Sequence, residues 1–328
     1  MRFKRCLAAI LSGLTLGLVP CAEAPAQDYP SRTVTIVNPF AAGGGTDLLA
    51  RMLAQKLEQR LGKSFVIENK TGAGSIIAAV AVQKSAPDGH TLLMAPAPTM
   101  AVNVSLYKSL PYDPLGDFVP LALLAQTPFA LLVNPELPVK SVTELIAYGK
   151  ANPGKLTFAS VGPGVPHHLY MELFKSMTGI TATHVPYRGS LPALNDVIAG
   201  HIPMMFCDLA PAAGALAAGK VRPLGISSTF RVPGFESIPP IAEVGVPGFD
   251  AVGWQMFVAP AKTPRPIVDK LHRELTEILA LPETKEQIVK YGFVPIANRS
   301  IEGLQDFVRS ETVRWGKVVR AAGLAGSQ

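Results

Sequence analysis

The sequence has few cysteines and lacks the short motifs that mark common catalytic and metal sites. Three cysteines occur among 328 residues, and no C-x-x-C, H-E-x-x-H or G-x-S-x-G pattern is present. His167 and His168 are adjacent, so on a helix their side chains point roughly 100° apart and cannot share a metal. We therefore predict no metal site, no cofactor and no catalytic residue.

Charge and long apolar runs are also scarce. Charged residues make up 16% of the chain, its formal net charge is +6 at pH 7, and the basic residues form no run. This scatter argues against a nucleic-acid-binding surface, whereas a mildly basic chain is compatible with anion binding. No stretch reaches the roughly 20 apolar residues of a membrane span.

The first 26 residues have the pattern of a secretory signal peptide. Basic residues at positions 2, 4 and 5 precede an apolar run over 7–19, and Ala-Pro-Ala at 24–26 provides a small-residue cleavage signal. The alternative, a buried N-terminal helix, would require neither the basic residues at the start of the segment nor the small residues at its end. We expect cleavage after Ala26 and a periplasmic mature protein.

Cleavage at that point would remove two of the cysteines and leave Cys207. A lone thiol cannot form an internal disulfide, so an oxidising compartment is tolerated but not exploited. A lipid anchor on Cys21 is an alternative, although Pro20 is a poor residue before a lipidated cysteine. Because Cys207 ends an apolar strand, we interpret it as a buried, inert thiol and not as a nucleophile.

Strand-like and helix-like segments alternate along the rest of the chain. The pattern first predicts strands over 33–37, 64–68 and 90–95, and helices over 47–61 and 75–84. After an apolar stretch at 121–134 it predicts helices over 142–151, 168–178 and 191–199, with strands over 155–160, 183–186 and 202–207. A strand over 251–259 and helices over 265–279 and 301–322 follow. Such alternation is typical of α/β folds with largely parallel sheets.

We expect these segments to form two α/β lobes. Lobe 1 comprises residues 27–126 and 249–328, and lobe 2 comprises 127–248. The chain then crosses between the lobes twice, and two crossings make a hinge. A mature chain of about 300 residues is long enough for two cores, and 48% of the sequence is hydrophobic.

A glycine-rich loop, Pro-Phe-Ala-Ala-Gly-Gly-Gly-Thr-Asp at 39–47, joins the first strand to the first helix. Glycines let the backbone approach a ligand, and a helix N-terminus adds unpaired N–H donors with partial positive charge. We expect Thr46 or Asp47 to cap the helix. The loop lacks the lysine of a Walker A motif, and Leu48 stands where a dinucleotide fingerprint needs its third glycine. An ordinary tight turn before a capped helix is the alternative.

A second glycine loop, at 161–166, joins a strand to a helix that starts at His167 or His168. Ligands of parallel α/β sheets bind outside the carboxyl ends of the strands. The two loops would therefore approach one ligand from opposite lobes. Loops at 72–75 and 185–190 are further candidates.

Three polar side chains near these loops have two interpretations each. Arg188 is either a bidentate partner for a carboxylate or an exposed surface arginine. Tyr187 either closes over a ligand or packs against the neighbouring loop. Asp208, at the tip of its strand, either accepts a donor from the ligand or caps the following helix.

The chain resembles the Bug family, the extracytoplasmic solute receptors of tripartite tricarboxylate transporters. The similarity runs over nearly the whole mature chain. Its ordered matches lie at Tyr29-Pro30, 39–47, 68–74, 87–89, 110–114, 134–139, 184–189 and 243–249.

This resemblance implies a periplasmic-binding-protein-like receptor that closes its two lobes on a small carboxylate. The family holds its ligand largely through backbone groups and bridging waters. Carried over to this chain, the ligand-binding residues would be Phe40, Ala42, Gly43, Gly44 and Thr46 in lobe 1, and Ser160, Gly162, Gly164, Tyr187 and Asp208 in lobe 2.

The chain departs from its family at Val165-Pro166. Many relatives carry a serine or threonine there, whose hydroxyl donates to the ligand, and proline also lacks an N–H. His168 is a candidate replacement donor. The departure favours a carboxylate with an apolar or aromatic body.

Three functions follow from this interpretation. The first is passive capture of a small organic carboxylate by a monomeric receptor and delivery to the membrane permease of a tripartite tricarboxylate transporter. The second is ligand sensing for a signalling kinase, which would use the same site. The third, an exported α/β enzyme, needs a nucleophile or metal site that the sequence does not offer.

Overall fold

The computed structural model describes residues 29–328. The predicted signal peptide, its cleavage site and Cys21 lie outside the described residues. Eleven strands are found in the described chain: β1 (Val34–Asn38), β2 (Phe65–Asn69), β3 (Thr91–Pro96), β4 (Phe118–Thr127), β5 (Phe129–Val133), β6 (Thr157–Ser160), β7 (Thr183–Pro186), β8 (Met204–Asp208), β9 (Arg222–Ile226), β10 (Gly253–Pro260) and β11 (Val294–Pro295).

Ten α-helices accompany them within residues 29–328: α1 (Gly45–Leu61), α2 (Ile76–Gln83), α3 (Asn103–Leu106), α4 (Val142–Ala151), α5 (Pro166–Thr178), α6 (Ser190–Ile198), α7 (Leu209–Ala217), α8 (Arg265–Ala280), α9 (Pro282–Lys290) and α10 (Ile301–Ala321). A 3₁₀ turn over Ala73–Ser75 leads into α2, and a π-helical turn over Pro98–Val102 leads into α3.

The strands form two separate sheets, each the centre of one lobe. The first lobe is built on the six-stranded sheet β11-β4-β10-β3-β1-β2, and the second on the five-stranded sheet β7-β6-β8-β5-β9. In the first sheet β1 pairs in parallel with β2 and β3; in the second β6 pairs in parallel with β7 and β8. The expected two-lobed, periplasmic-binding-protein-like α/β fold is confirmed.

The chain passes between the sheets at two points that are hydrogen-bonded to each other. At the first, Pro128 separates β4 of one sheet from β5 of the other; proline lacks the N–H that a continued strand pairing needs. At the second, the chain leaves β9 of the second sheet and returns to β10 of the first. Phe129 and Ser227 bond across these crossings, with Phe129 N–H donating to Ser227 Oγ (2.9 Å), and Ala251 N–H donates to the Ser227 carbonyl (2.9 Å).

The C-terminal helix α10 spans this hinge. Its Glu311 is only 9% exposed, and one carboxylate oxygen accepts hydrogen bonds from the indole N–H groups of Trp254 (2.7 Å) and Trp315 (3.1 Å). Trp315 also stacks on Tyr170 of α5 in the second lobe, with ring planes 9° apart. The helix therefore contacts both lobes and the returning strand β10.

The glycine-rich loop begins α1 without a side-chain cap. The helix starts at Gly45 with Gly44 as its N-cap residue, and no side chain bonds there. The expectation that Thr46 or Asp47 caps α1 is therefore wrong, because both residues already lie inside the helix. Likewise α5 starts at Pro166, whose missing N–H and fixed φ suit the first helical position.

Candidate ligand-binding site

A cavity of about 300 Å³ lies between the two lobes. The first lobe lines it with the loops at 39–46 and 71–75, joined by residues of the crossing strands and of the β11 region. The second lobe contributes the loop 161–167, the turn 188–192 and Asp208. A space of this size, walled by loops at strand ends, is typical of a small-molecule site.

The first loop is stiffened by the carboxylate of Asp47, which is 2% exposed. This carboxylate accepts the Gly43 N–H (3.0 Å), two bonds from Arg51 (2.9 and 3.1 Å) and one from Asn69 (2.9 Å). Burial opposes its ionisation, but these hydrogen bonds and the Arg51 charge lower the pKa of Asp47. The loop is therefore fixed before any ligand enters.

This loop leaves backbone donors without partners. Among residues 29–328, no acceptor bonds the N–H groups of Ala42, Gly44 or Thr46. The first N–H groups of a helix have no partner inside the helix and carry partial positive charge. The N-terminus of α1 therefore offers donors to an anion in the cavity.

The loop before α2 is held in a strained conformation. Ala73 and Ser75 both have positive φ, at 45° and 76°, which non-glycine residues rarely adopt. The Ser75 hydroxyl bonds to Thr99 (2.7 Å). This loop faces the second lobe, because a Cβ on Gly74 would lie 3.6 Å from the Pro163 carbonyl oxygen.

The second glycine loop uses two of its N–H donors internally. Gly162 N–H donates to Ser160 Oγ (3.0 Å), and Gly164 N–H donates to His168 Nδ1 (3.2 Å). Pro163 and Pro166 have no N–H to give. The N–H groups of Val161, Val165 and His167 have no acceptor within residues 29–328, so this loop presents free donors beside its apolar side chains.

A pair of histidines, His168 buried and His184 half-buried, supports that wall from behind. The rings of His168 and His184 lie 4.3 Å apart, beside Phe158, and His184 also bonds to Ser160. Burial, aided by the Lys175 charge, lowers the pKa of His168 to about 4. Burial and the His168 charge lower that of His184 to about 4 as well. Both rings are therefore neutral at pH 7.

Asp208 ends β8 at the cavity wall. Its Oδ1 accepts the Ser190 hydroxyl (2.7 Å) and His167 Nε2 (3.1 Å), and its Oδ2 accepts the Gly45 N–H of the first lobe (3.3 Å). Burial opposes ionisation, yet the bonds and charge of His167 and the bonds from Ser190 and Gly45 lower the pKa of Asp208. The side chain does not cap α7; it links the two lobes.

Ser190, His167 and Asp208 do not have the geometry of a hydrolytic triad. Ser190 Oγ and Asp208 Oδ1 both lie 3.1 Å from the same ring nitrogen, Nε2 of His167, and Nδ1 has no partner within residues 29–328. A triad needs its carboxylate on one ring nitrogen and its hydroxyl on the other. Here the serine donates directly to the carboxylate.

The predicted ligand-binding residues fall into two groups. Those that line the cavity are Phe40, Ala42, Gly44, Thr46, Gly162 and Asp208. Those that lie outside its wall are Gly43, Ser160, Gly164, His168 and Tyr187. Arg188 lines the cavity and is exposed.

Members of the second group bond to other parts of the protein. Tyr187 donates its hydroxyl to Asp196 (2.6 Å) and does not close over the cavity. His168 is 7% exposed and accepts the Gly164 N–H, so it does not replace the hydroxyl missing at Val165. Cys207 is fully buried, and burial raises the pKa of its thiol.

Sequence reasoning missed several residues of the wall. These are His167, Thr127, Phe129, Gln255 and Phe293, whereas Ser190 lay in the candidate loop at 185–190 but was not singled out. Thr127 and Phe129 flank Pro128 at the first crossing, a break that was visible in the sequence. Phe293 follows α9, for which no periodic signal was recognised.

Comparison with known proteins decides the family. Residues 49–324 match the family model described as tripartite tricarboxylate transporter family receptor. The chain belongs to this family. BugT of Bordetella pertussis is similar, with 36% identity over 98% of this chain and 99% of the relative.

Solved structures agree with the assignment. An R. palustris protein with adipate is 38% identical, with a TM-score of 0.87 over 90% of this chain and 99% of that one. MatC from Rhodopseudomonas palustris with bound malate is 34% identical, with a TM-score of 0.83 over 89% of this chain and 100% of that one. The resemblance to the Bug family is confirmed, and so is the receptor function expected from it.

Two further properties of the described chain bear on this family. In residues 29–328 no helix combines the length and apolar character needed to cross a bilayer. Nor does that part of the chain bring three or more histidine, cysteine, aspartate or glutamate residues together as a metal would need.

Proposed function

We propose that this receptor captures a small organic carboxylate between its lobes, closes about the hinge and delivers it to the permease of a tripartite tricarboxylate transporter. The observation that carries the proposal is the interlobe cavity, with unpaired N–H groups of Ala42, Gly44 and Thr46 at the start of α1. Relatives solved with adipate and malate support the same ligand class.

The remaining wall suits the carbon skeleton of such an acid. Phe40, Phe129, Phe293 and Val165 line the cavity, so an aliphatic or aromatic body would bury its apolar surface there. Closure would exclude water and strengthen each N–H contact to the carboxylate. The function needs no bond-making chemistry, and the arrangement of Ser190, His167 and Asp208 gives no reason to invoke any.

The proposal includes where the protein acts and how it divides. The mature protein works as a monomer in the periplasm after cleavage at Ala26. Lobe 1 is 27–126 with 249–328, and lobe 2 is 127–248. In support, the chain passes from the first sheet to the second at Pro128 and returns to the first between β9 and β10.

A thermal-shift screen tests the proposal. Purified protein is mixed with mono-, di- and tricarboxylates, aliphatic and aromatic. The fully methylated ester of each acid, in which every carboxylate is esterified, is the matched control without carboxylate charge. A ligand that binds the folded state raises Tm by mass action, about 2.7 kcal/mol of stabilisation at 100 times its Kd. Failure of every acid to raise Tm beyond its ester would refute carboxylate capture.

A further inference from the structure

Arg188 brings an exposed positive charge to the edge of the cavity. Among the described lining residues it is the only lysine or arginine. Within residues 29–328 its guanidinium forms neither an ion pair nor a hydrogen bond. The other two arginines of the second lobe are both bonded, Arg222 to a backbone carbonyl (2.7 Å) and Arg231 to a carboxylate (2.9 Å). The charge of Arg188 is therefore available to a ligand.

The turn that carries Arg188 forms the outer edge of the cavity. Its next residue, Gly189, approaches the first lobe so closely that an added Cβ would lie 3.5 Å from the Cβ of Ala41. Leu191 contacts the same loop, 3.7 Å from the position of a Cβ on Gly43, and is itself 44% exposed. Arg188 thus lies where solvent, the second lobe and the first glycine loop meet.

The acid of the described wall, Asp208, is placed differently. It is 12% exposed, and its carboxylate accepts three hydrogen bonds, one of them from Gly45 N–H at the start of α1. An anion that enters from solvent therefore meets the exposed guanidinium first. The field of an exposed charge extends about 10 Å at 0.1 M salt and about 30 Å at 0.01 M. Arg188 thus acts on a ligand before that ligand contacts the wall.

We propose that Arg188 is a steering residue, which attracts the carboxylate into the open cleft and speeds association without holding the ligand after the lobes close. A charge at the rim of a binding site changes the association rate and its salt dependence, whereas buried contacts set the dissociation rate. The exposed, unbonded guanidinium belongs to the first class, and the free N–H groups inside the cavity belong to the second. This inference rests on the proposed carboxylate capture and concerns its rate, not the identity of the acid.

Rapid-mixing kinetics tests this role. The probes are the acids of the thermal screen that raise Tm, with adipate and malate measured first. Association (kon) is followed by intrinsic tryptophan fluorescence, dissociation (koff) by displacement, and Kd by calorimetry. For the wild-type protein, kon should fall several-fold as NaCl rises from about 0.01 M to about 0.5 M, while koff stays within about twofold. A kon that does not depend on salt would overturn the inference.

The variant Arg188→Gln removes the charge from an exposed side chain. At about 0.01 M salt we expect kon for a dianion to be roughly 3- to 10-fold lower than in the wild type, with koff unchanged within about twofold. The difference should disappear at high salt, because salt screens exposed charges. If koff rises while kon is unchanged, Arg188 holds the ligand directly and the steering role is refuted.

The variant Arg188→Lys keeps the charge and loses the planar fork of the guanidinium. Because steering depends on charge alone, kon should stay within about twofold of the wild-type value. If the lysine variant is as slow as the glutamine variant, the charge is not the cause and the inference fails.

Lys155→Gln is the matched control. Lys155 is likewise an exposed cation of the second lobe, but it precedes β6, whereas the second glycine loop follows β6. Loss of its charge should change kon by less than about 1.5-fold. An equal effect of the substitutions at Arg188 and Lys155 would show a response to net charge and refute a local role.

The outcomes also separate this inference from the function beneath it. If acids bind but kon ignores both salt and Arg188, carboxylate capture is retained and steering is refuted. If no acid of the screen binds, both are refuted. Because the salt dependence is measured on the wild-type protein, the inference is falsifiable without any variant.

Discussion

The amide N–H of Gly164 donates to Nδ1 of His168 across 3.2 Å. This bond requires Nδ1 to be unprotonated, so the ring that supports the cavity wall must stay neutral. Glu172, 3.7 Å from Nε2, and Lys175 are the charged groups on the same helix, and His184 faces the ring from β7.

Acidification should therefore destabilise the protein. The folded-state pKa of His168 is about 4, below its unfolded value of 6.5, so at pH values between these two the unfolded chain binds the proton that the folded chain refuses. The contribution of His168 to the free energy of unfolding is fully present above pH 6.5 and is lost as the pH drops towards 4. A shift of this size corresponds to a loss of up to about 3 kcal/mol.

Urea unfolding at pH 7, 6 and 5 measures this loss. The variant His168→Gln removes the titrating ring while its amide can still accept the Gly164 N–H. It should make the pH dependence about half as steep, because His184, whose own pKa is lowered to about 4, still titrates in the variant; a variant that loses stability as steeply as the wild type would contradict the assignment.

Gly164→Ala should be costly. Gly164 has φ of +75°, and a Cβ there would overlap Leu106, a fully buried residue of the first lobe. Strain and overpacking together predict a loss of at least about 2 kcal/mol in the free energy of unfolding. Gly214→Ala in α7 is the matched control, since nothing lies within 4 Å of its Cβ; it should be neutral or stabilising.

Gly45→Ala should impair ligand binding more than folding. A Cβ on Gly45 would lie 3.2 Å from Phe293 and 3.5 Å from Asp208 Oδ2, between the closing lobes. We expect roughly 5- to 100-fold weaker binding of whichever acid the thermal screen identifies, measured by calorimetry. Gly214→Ala in α7 is the control, because nothing lies within 4 Å of its added Cβ and the residue is outside the cavity wall; it should leave Kd unchanged. Equal losses in both variants would argue against a steric role for position 45.

Glu311→Gln should weaken the hinge. One carboxylate oxygen accepts Trp254, Trp315 and Arg314 N–H groups, and removing the charge weakens all three bonds. The expected loss is about 1–3 kcal/mol in urea unfolding. The control is Asp306→Asn, whose side chain is 76% exposed in an ion pair with Arg309 and should matter by less than about 0.5 kcal/mol.

The sequence predicted the framework well because local signals dominate there. The helix expected over 142–151 is α4 residue for residue, since hydrophobic spacing and the Ser141 cap agree. Short elements without such spacing, among them β9 and β11, were not recognised. The restart of the strand–helix alternation after residues 121–134 predicted the two lobes, and the family resemblance supplied the class of ligand.

The site was predicted less completely because its wall joins distant segments. Gln255 and Phe293 reach the cavity only through the return crossing and the packing of α9, which no local pattern reveals. On α5 the prediction chose His168, whereas His167 lines the cavity. Successive side chains on a helix point roughly 100° apart. An error of one position in the predicted start of α5 therefore decides which of the two histidines faces the cavity.

Both tryptophans of the chain donate to the one carboxylate at the hinge, and the sequence contains no others. Their emission therefore reports on the crossing point of the lobes and on no other place in the molecule. Any rotation that lengthens these bonds or shifts Trp315 on Tyr170 changes the fluorescence of the unlabelled protein. Intrinsic tryptophan fluorescence of the receptor therefore reports on the closure of its lobes.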